Sequence, residues 1–516
     1  MQIKKLLMNF PKALYFLAIL SFIIRIIPFR YGLPLHLNID EPALVSGTLL
    51  LKNGPNIGRF DWPHLYFYIN FLFYLPGYLI ENLFKLPDFL EGDGIYFIIS
   101  RVLSVIFGVL TMFVLYRITD LITKNKHIAL GASLILAFLP VHVYESFFAK
   151  LDVALTFFAS LAIFWILKIS DGLKLKTFLI AGALIGLAVS IKYNAFLLYL
   201  PFVISWAYLI NKQTIKSIKL YLFPIYSGLV SLLFFFLGTP FALLDFKTFW
   251  SDEPRVGVLW QFQNVGSVPW EEYSVHVYET FANMFRKDLG FGVWVIFIAL
   301  IIGYLFFNCR NKYSNILLLP TIIITFYISK LDRSPSHYFL FLIPMYLPIV
   351  TIFIWDIAKF VCDRFTNIKT KYLFGIILLI AIIPGMYKSI TTTFIYARTD
   401  TRLGAYNWVR ENVSDEGYFL YVAGDGLSQV PFQKNDTLKI KRIDPDQINQ
   451  PLPVYLVVGY EGIDLDDFIS QGWNPKGING SSERVLNDKA LVKYFDNKLN
   501  PGPPVLIFRI EEMGDD

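Results

Sequence analysis

Two adjacent carboxylates, Asp40 and Glu41, stand in the stretch PLHLNIDEPALVSGTLLLKNG, just beyond the apolar run ALYFLAILSFIIRIIPF and the four residues RYGL, with no basic residue beside them in the chain. Unpaired acids where lipid meets water are rare and costly, so such a pair reads as a functional group before it reads as two solvated loop acids. Asp152, in ESFFAKLDVALTFF, opens a later apolar run at the same depth, and Glu145 precedes it by seven residues. Three acids at one level, Asp40, Asp152 and Glu145, suit proton abstraction from a hydroxyl or the holding of a divalent cation. Cations occur at that level too. Lys150 lies two residues before Asp152, Lys192 sits in the short turn of GLAVSIKYNAF, Arg255 lies in a long loop, and Arg333 and His337 belong to KLDRSPSHYFLFLIPMY. Each reads equally as a side chain reaching for a lipid headgroup. Lys192 is the exception, because its turn is too short to stray from the acids. A base beside cations, open to lipid, fits one chemistry well. A hydroxyl loses its proton to the carboxylate, attacks a sugar held on a lipid phosphate, and the cations steady the phosphate as it gains charge.

The elements that must carry these groups are written in the hydropathy. Of 516 residues, 55% are hydrophobic and 17% charged, where a soluble domain has about 25% charged. Eleven apolar runs, at 13–29, 95–116, 128–143, 152–167, 177–191, 194–210, 220–241, 289–307, 314–330, 337–358 and 373–394, predict a polytopic α-helical membrane protein. The alternation of an outer-membrane barrel is absent. With the N-terminus inside, the inner segments hold 18 Lys and Arg against three acids, and the outer segments hold 12 against 17. Every inner loop obeys the positive-inside rule, which predicts a multi-pass protein of the plasma membrane with a cytoplasmic N-terminus. The same bias accounts for the net charge of +6 without nucleic acid. The first apolar run is long enough to stay as an anchor and no small-residue cleavage site follows it. The segment 64–84 is apolar as well, but a crossing there would invert every later loop, so it is expected to lie on the outer leaflet. Two long outer loops result, 30–94 and 242–288. From residue 396 the pattern changes to a polar amphipathic helix and short β-type runs, predicting a small extracytoplasmic α/β domain over 396–516 beside a membrane domain over 1–395. The two cysteines, Cys309 and Cys362, fall in inner loops and are expected to be free thiols.

Taken in order, several phrases resemble one family. They are the arginine that ends the first span (SFIIRIIPF), NIDEPALVSGTLLLKNG, WPHLYFYI, KLDVALTFF, GLAVSIKYNAFLLYLP, HYFLFLIPMYLPI and DTRLGAYNWVRENV. The chain resembles type-C (GT-C) glycosyltransferases of the protein O-mannosyltransferase and lipid A aminoarabinose transferase superfamily, in its bacterial or archaeal branch. The resemblance implies inverting transfer from a polyprenyl-phosphate sugar, with Asp40 as the base, Glu41 and Asp152 in support, and Lys192 on the donor phosphate. Lys150, His337, Arg255 and Arg333 are further candidates for that phosphate, and His337 stands where the family usually has arginine. Asp40, Asp152 and Glu145 would admit a divalent cation, but none is required. The partners expected are the lipid-linked sugar, the bilayer and a hydroxyl acceptor on a protein, lipid or glycan. The competing functions are a transporter or flippase, and a polymerase or ligase, of lipid-linked sugars. A transporter would place charges or helix breaks near mid-membrane in paired halves, whereas here the acids collect at one face. DPDQ at 444–447 and DLDD at 464–467 match metal-binding acid patterns but read better as turn and cap acids. GDG at 424–426 lacks the remaining glycines of a dinucleotide loop, and Asn479 in NGSS is a glycan acceptor only in a host that modifies such sites.

Overall fold

The computed structural model describes residues 10–83, 93–212, 217–283, 311–333, 335–365, 368–413, 419–424, 430–431, 440–441, 454–459 and 491–510. Ten of the eleven apolar runs fold as helices where expected. The run at 289–307 lies outside the described residues, as do Cys309, DPDQ, DLDD and Asn479. Seven described helices are long and apolar enough to cross a membrane, among them Gly94–Thr123, Leu151–Ile169 and Lys219–Gly238. Lys126–Ala137 and Leu175–Val189 are apolar but shorter. Segment 64–84 forms the helix Leu65–Leu83, which is not one of the seven. It buries Tyr66, Phe67, Asn70 and Tyr74 and leaves Leu72, Phe73, Leu75 and Leu79 exposed. One side of it is packed and the other is apolar and open. Gly77 lets it approach Gly94–Thr123, since a Cβ there would meet Ile99 at 2.5 Å.

One expected span is divided. The hydropathy predicts a single helix over 128–143, but Lys126–Ala137 stops and a short helix, Pro140–Glu145, follows. Pro140 cannot continue a helix, and Leu139 before it is extended, as a residue preceding proline prefers. Backbone groups freed inside a bilayer need partners within the protein. Here Arg25, buried on Lys12–Ile26, donates to the Leu136 and Ala137 carbonyls, each at 2.9 Å, and Ser389 donates to that of Phe138 at 2.8 Å. The break therefore leaves Glu145 on a helix end rather than in the loop the sequence predicts.

The described chain packs as two compact units. The first gathers the helices up to Thr391. Its tightest pair is Leu175–Val189 against Lys219–Gly238, where a Cβ on Gly182 or Gly186 would lie 2.2 Å from the carbonyl of Ser227 or Ser231. The second unit gathers Arg30–Ile39 and residues 93–94 with the described residues from Thr392 onward. It contains a five-stranded mixed sheet, β1 (Phe419–Gly424), β2 (Ile440–Lys441), β3 (Val454–Gly459), β4 (Leu491–Phe495) and β5 (Val505–Ile510), in the order β2-β1-β3-β5-β4. β2, β1 and β3 run parallel, and β5 is antiparallel to β3 and β4. The helix Thr401–Asn412 lays Thr401, Ala405, Tyr406 and Val409 inward, with Gly404 against the ring of Phe495. A mixed sheet with a helix is the α/β composition the tail's pattern predicts.

Candidate active site

Asp40 immediately precedes the helix Glu41–Leu49, whose Pro42 in the first turn presets the helical backbone. Its carboxylate does not cap that helix but meets the ammonium of Lys150 at 3.0 Å. Lys150 also faces Glu145, at 3.3 Å. His337 Nδ1 lies 3.8 Å from the other Glu145 oxygen. Lys192 donates to Asp152 at 2.7 Å, and its ammonium lies over the ring of Tyr338 at 4.4 Å. The structure thus brings Asp40, Glu145, Lys150, Asp152, Lys192 and His337 into one group, from five separate elements.

Glu41 faces the other way. It is fully buried and receives Arg101 bidentately, at 2.7 and 2.6 Å, and the backbone N–H of Ala149 at 2.8 Å. Arg101 in turn donates to the Phe29 carbonyl at 2.8 Å. Glu41 therefore ties the start of its own helix to Gly94–Thr123 and to the turn that bears Lys150, and supports the site without facing it. Lys192 is fixed similarly. Leu65 N–H donates to the Ser190 carbonyl at 3.0 Å and the Tyr193 hydroxyl to the Phe60 carbonyl at 2.7 Å, bracketing the turn on both sides.

Burial sorts the acids. The carboxylate side chain of Asp40 is 35% exposed, against 4% for Glu145, 7% for Asp152 and none for Glu41. Burial would lower the pKa of Lys150, but Glu145 and Asp40 outweigh it and hold it raised. Burial likewise opposes the charge on Lys192 and Asp152 outweighs it, again a net rise. Both remain ammonium ions across the physiological range. Among the described residues no three acids or histidines converge as ligands of one ion. The Lys150 ammonium stands between the carboxylates of Asp40 and Glu145.

A cavity of about 290 Å³ opens beside Lys192. Its walls are largely aromatic and aliphatic, with Trp62, Phe262, Tyr327 and Tyr338 among them, and Asp61 and Lys330 add charge. Arg255 and Arg333 are exposed and have no described contact with the acid–lysine group. Arg101, Tyr338 and Trp62 are missing from the candidates drawn from the sequence. Arg101 carried a signal, an ionisable residue inside the apolar run IISRVLSVIF. The two aromatic residues carried none, in a chain where 17% of residues are aromatic.

Residues 75–237 match the family described as Dolichyl-phosphate-mannose-protein mannosyltransferase, a stretch that holds Glu145, Lys150, Asp152 and Lys192 but not Asp40 or His337. Among solved structures, ArnT from Cupriavidus metallidurans bound to undecaprenyl phosphate is similar over 96% of this chain and 97% of that one, with TM-score 0.50 and 12% identity. The apo oligosaccharyltransferase of Archaeoglobus fulgidus is similar over 79% of this chain, with TM-score 0.48 and 14% identity, and the chain spans 62% of that protein's length. The Pmt1–Pmt2 complex of S. cerevisiae bound to its sugar donor is similar over 48% of this chain and 37% of that one, with TM-score 0.36 and 18% identity. No curated protein sequence matches the chain. With that family match across its central helices and that likeness over nearly its whole length, the chain has the GT-C membrane fold.

Proposed function

We propose that the protein is an integral-membrane glycosyltransferase that moves a sugar, with inversion, from a polyprenyl-phosphate donor to a hydroxyl acceptor at the extracytoplasmic face. The observation that carries this is the sorting of the acids: of Asp40, Glu145 and Asp152, Asp40 alone presents a substantially exposed carboxylate, and the largely buried ammonium groups of Lys150 and Lys192 stand next to it or nearby. Asp40 takes the proton of the acceptor hydroxyl as its oxygen bonds to the anomeric carbon. The bond from that carbon to the phosphate oxygen breaks, and its electron pair leaves with the phosphate. Lys192, on the wall of the aromatic cavity, meets the charge that develops there. Lys150 holds Asp40 in place, and Glu145 and Asp152 fix the two lysines. The apolar walls of the cavity suit the first units of a prenyl chain. The metal-free version of this chemistry is part of the proposal, since lysines stand where cation charge is needed. The orientation rests on the loop charges and on one contact: Lys312 pairs with Asp171 at 2.6 Å, joining two loops both predicted to be cytoplasmic.

The test uses membranes carrying the protein and a panel of radiolabelled polyprenyl-phosphate sugars. Wild type should release free polyprenyl phosphate and label an endogenous acceptor, with or without EDTA. Asp40→Asn should lower that release by roughly 10²–10⁴ at equal protein level. Movement of intact donor across the bilayer with no release, unchanged by Asp40→Asn, would favour a flippase.

A further inference from the structure

We infer that Thr239 is a positioning residue for the donor phosphate, acting on Lys192 through a buried polar knot with His64 and Ser190. This rests on the role proposed above for Lys192. Three stretches far apart in the chain meet in the knot, and all belong to the first unit. They are the loop that enters the helix Leu65–Leu83, the turn after Leu175–Val189 and the end of Lys219–Gly238. The His64 N–H donates to Thr239 Oγ1 at 3.1 Å. Thr239 Oγ1 lies 2.7 Å from Ser190 Oγ, and the Ser190 hydroxyl donates to the Phe235 carbonyl at 3.3 Å. Ser190 uses its one hydroxyl proton on Phe235, so the Thr239 hydroxyl is the donor of the middle bond. Donation therefore runs in one direction through all three links. His64, Ser190 and Thr239 are fully buried, and a buried group that loses its partner finds no water to replace it.

What the knot holds is the turn of Lys192. Ser190 is gripped twice, its hydroxyl by Thr239 and its carbonyl by the Leu65 N–H at 3.0 Å. Gly238 closes the remaining side, where a Cβ would lie 2.3 Å from Ser190 Oγ. His64 is itself fixed. Its ring Nε2 donates to the Arg59 carbonyl at 2.7 Å, and the ring stacks on Phe60 at 4.7 Å. Two residues beyond Ser190, the Lys192 N–H donates back to the Ala188 carbonyl at 3.1 Å, so little slack is left in the turn. Asp152 and Tyr338 meet only the ammonium of Lys192. A lysine stem is long and flexible, and the ammonium keeps one place only if the backbone beneath it does too. Thr239 supplies that fixed backbone and need not touch the donor.

The experiment uses full-length protein in detergent. Thr239→Val keeps the shape of the side chain and removes the hydroxyl, breaking two links of the knot. Deuterium exchange of the backbone amides over 188–196 should speed up about fivefold, the change in an opening equilibrium when one buried hydrogen bond is lost. Free polyprenyl phosphate, the leaving product, should inhibit transfer by competing with the donor. Its inhibition constant and the donor KM should each rise about tenfold, as when a hydrogen bond to a charged group is weakened, with the acceptor KM unchanged. Loss of folded protein alone lowers kcat and leaves these constants where they were. Thr239→Ser restores the hydroxyl and should bring exchange and both constants back towards wild type. In a Lys192→Met background, Thr239→Val should raise the constants no further, because the cation it places is gone. Should Thr239→Val fail to fold, Ser190→Ala, which cuts the next link, decides by the same readouts. Exchange that does not change, constants that hold while exchange rises, or an equal rise in the Lys192→Met background overturns the inference. A wild-type protein that neither transfers sugar from any donor nor binds polyprenyl phosphate sinks the glycosyltransfer reading instead, and the exchange ratio still decides whether the knot holds the turn.

Discussion

Asp40 and Glu41 are neighbours of the same chemical type with opposite fates. One carboxylate keeps solvent access beside an ammonium, and the other is sealed against a guanidinium. Their division of labour predicts opposite signatures. Glu41→Gln leaves Arg101 buried without its counter-charge and should cost about 3–5 kcal/mol of stability, read as a large fall in detergent Tm. The double variant Glu41→Leu/Arg101→Met removes both charges and should recover most of that loss. Asp40→Asn should leave Tm nearly unchanged while transfer collapses. A Glu41→Gln protein as stable as wild type would refute the assignment. The acid pair was legible in the sequence because bare carboxylates beside an apolar run stand out. Which acid is sealed against a guanidinium was not, because Arg101 lies sixty residues away along the chain and only folding brings it there. Lys150 is the reverse case: two residues from Asp152 in sequence, it pairs with Asp40 and Glu145 instead.

The helices were legible because lipid demands long apolar runs, and ten of the expected runs are helices in the structure. The break at Pro140 escaped the hydropathy because apolar residues flank it on both sides, so the average does not dip where the backbone stops. The helix contacts escaped it for another reason. Between helices in lipid the attraction comes from close packing of small residues rather than from a hydrophobic difference. Gly182 and Gly186 in GALIG form such a ridge against Ser227 and Ser231. The helix they belong to ends directly before the turn of Lys192, so this contact bears on the position of Lys192. Gly182→Val should force the pair apart and cost about 1–3 kcal/mol, with a lower Tm and a raised donor KM. Gly228→Val, on the partner helix where a Cβ meets nothing within 4 Å, is the control and should change neither. Equal effects of the two would remove the packing argument.

Across the molecule two of the ion-paired groups of the first unit bear on topology. One holds Asp40, Glu145, Lys150, Asp152, Lys192 and His337. The other includes Asp171 and Lys312, joined between two helix ends, with the Tyr313 hydroxyl on the same carboxylate. Three apolar runs, 95–116, 128–143 and 152–167, separate Asp40 from Asp171, and an odd number of crossings would put the two groups on opposite faces of the membrane. The direction we propose follows the loop charges, with the Lys312 group on the cytoplasmic side, where lysine and arginine are expected to collect. Three exposed positions test this in a protein with Cys309→Ser and Cys362→Ser. Lys247→Cys and Arg255→Cys, in the second long loop, should react with a membrane-impermeant maleimide on intact cells. Lys174→Cys, in the loop of Asp171, should react only after permeabilisation. Labelling of Lys174→Cys on intact cells would turn the protein over and put Asp40 on the cytoplasmic side. Nucleotide sugars would then be at hand there, and the need for a lipid-linked donor would disappear with the topology that required it.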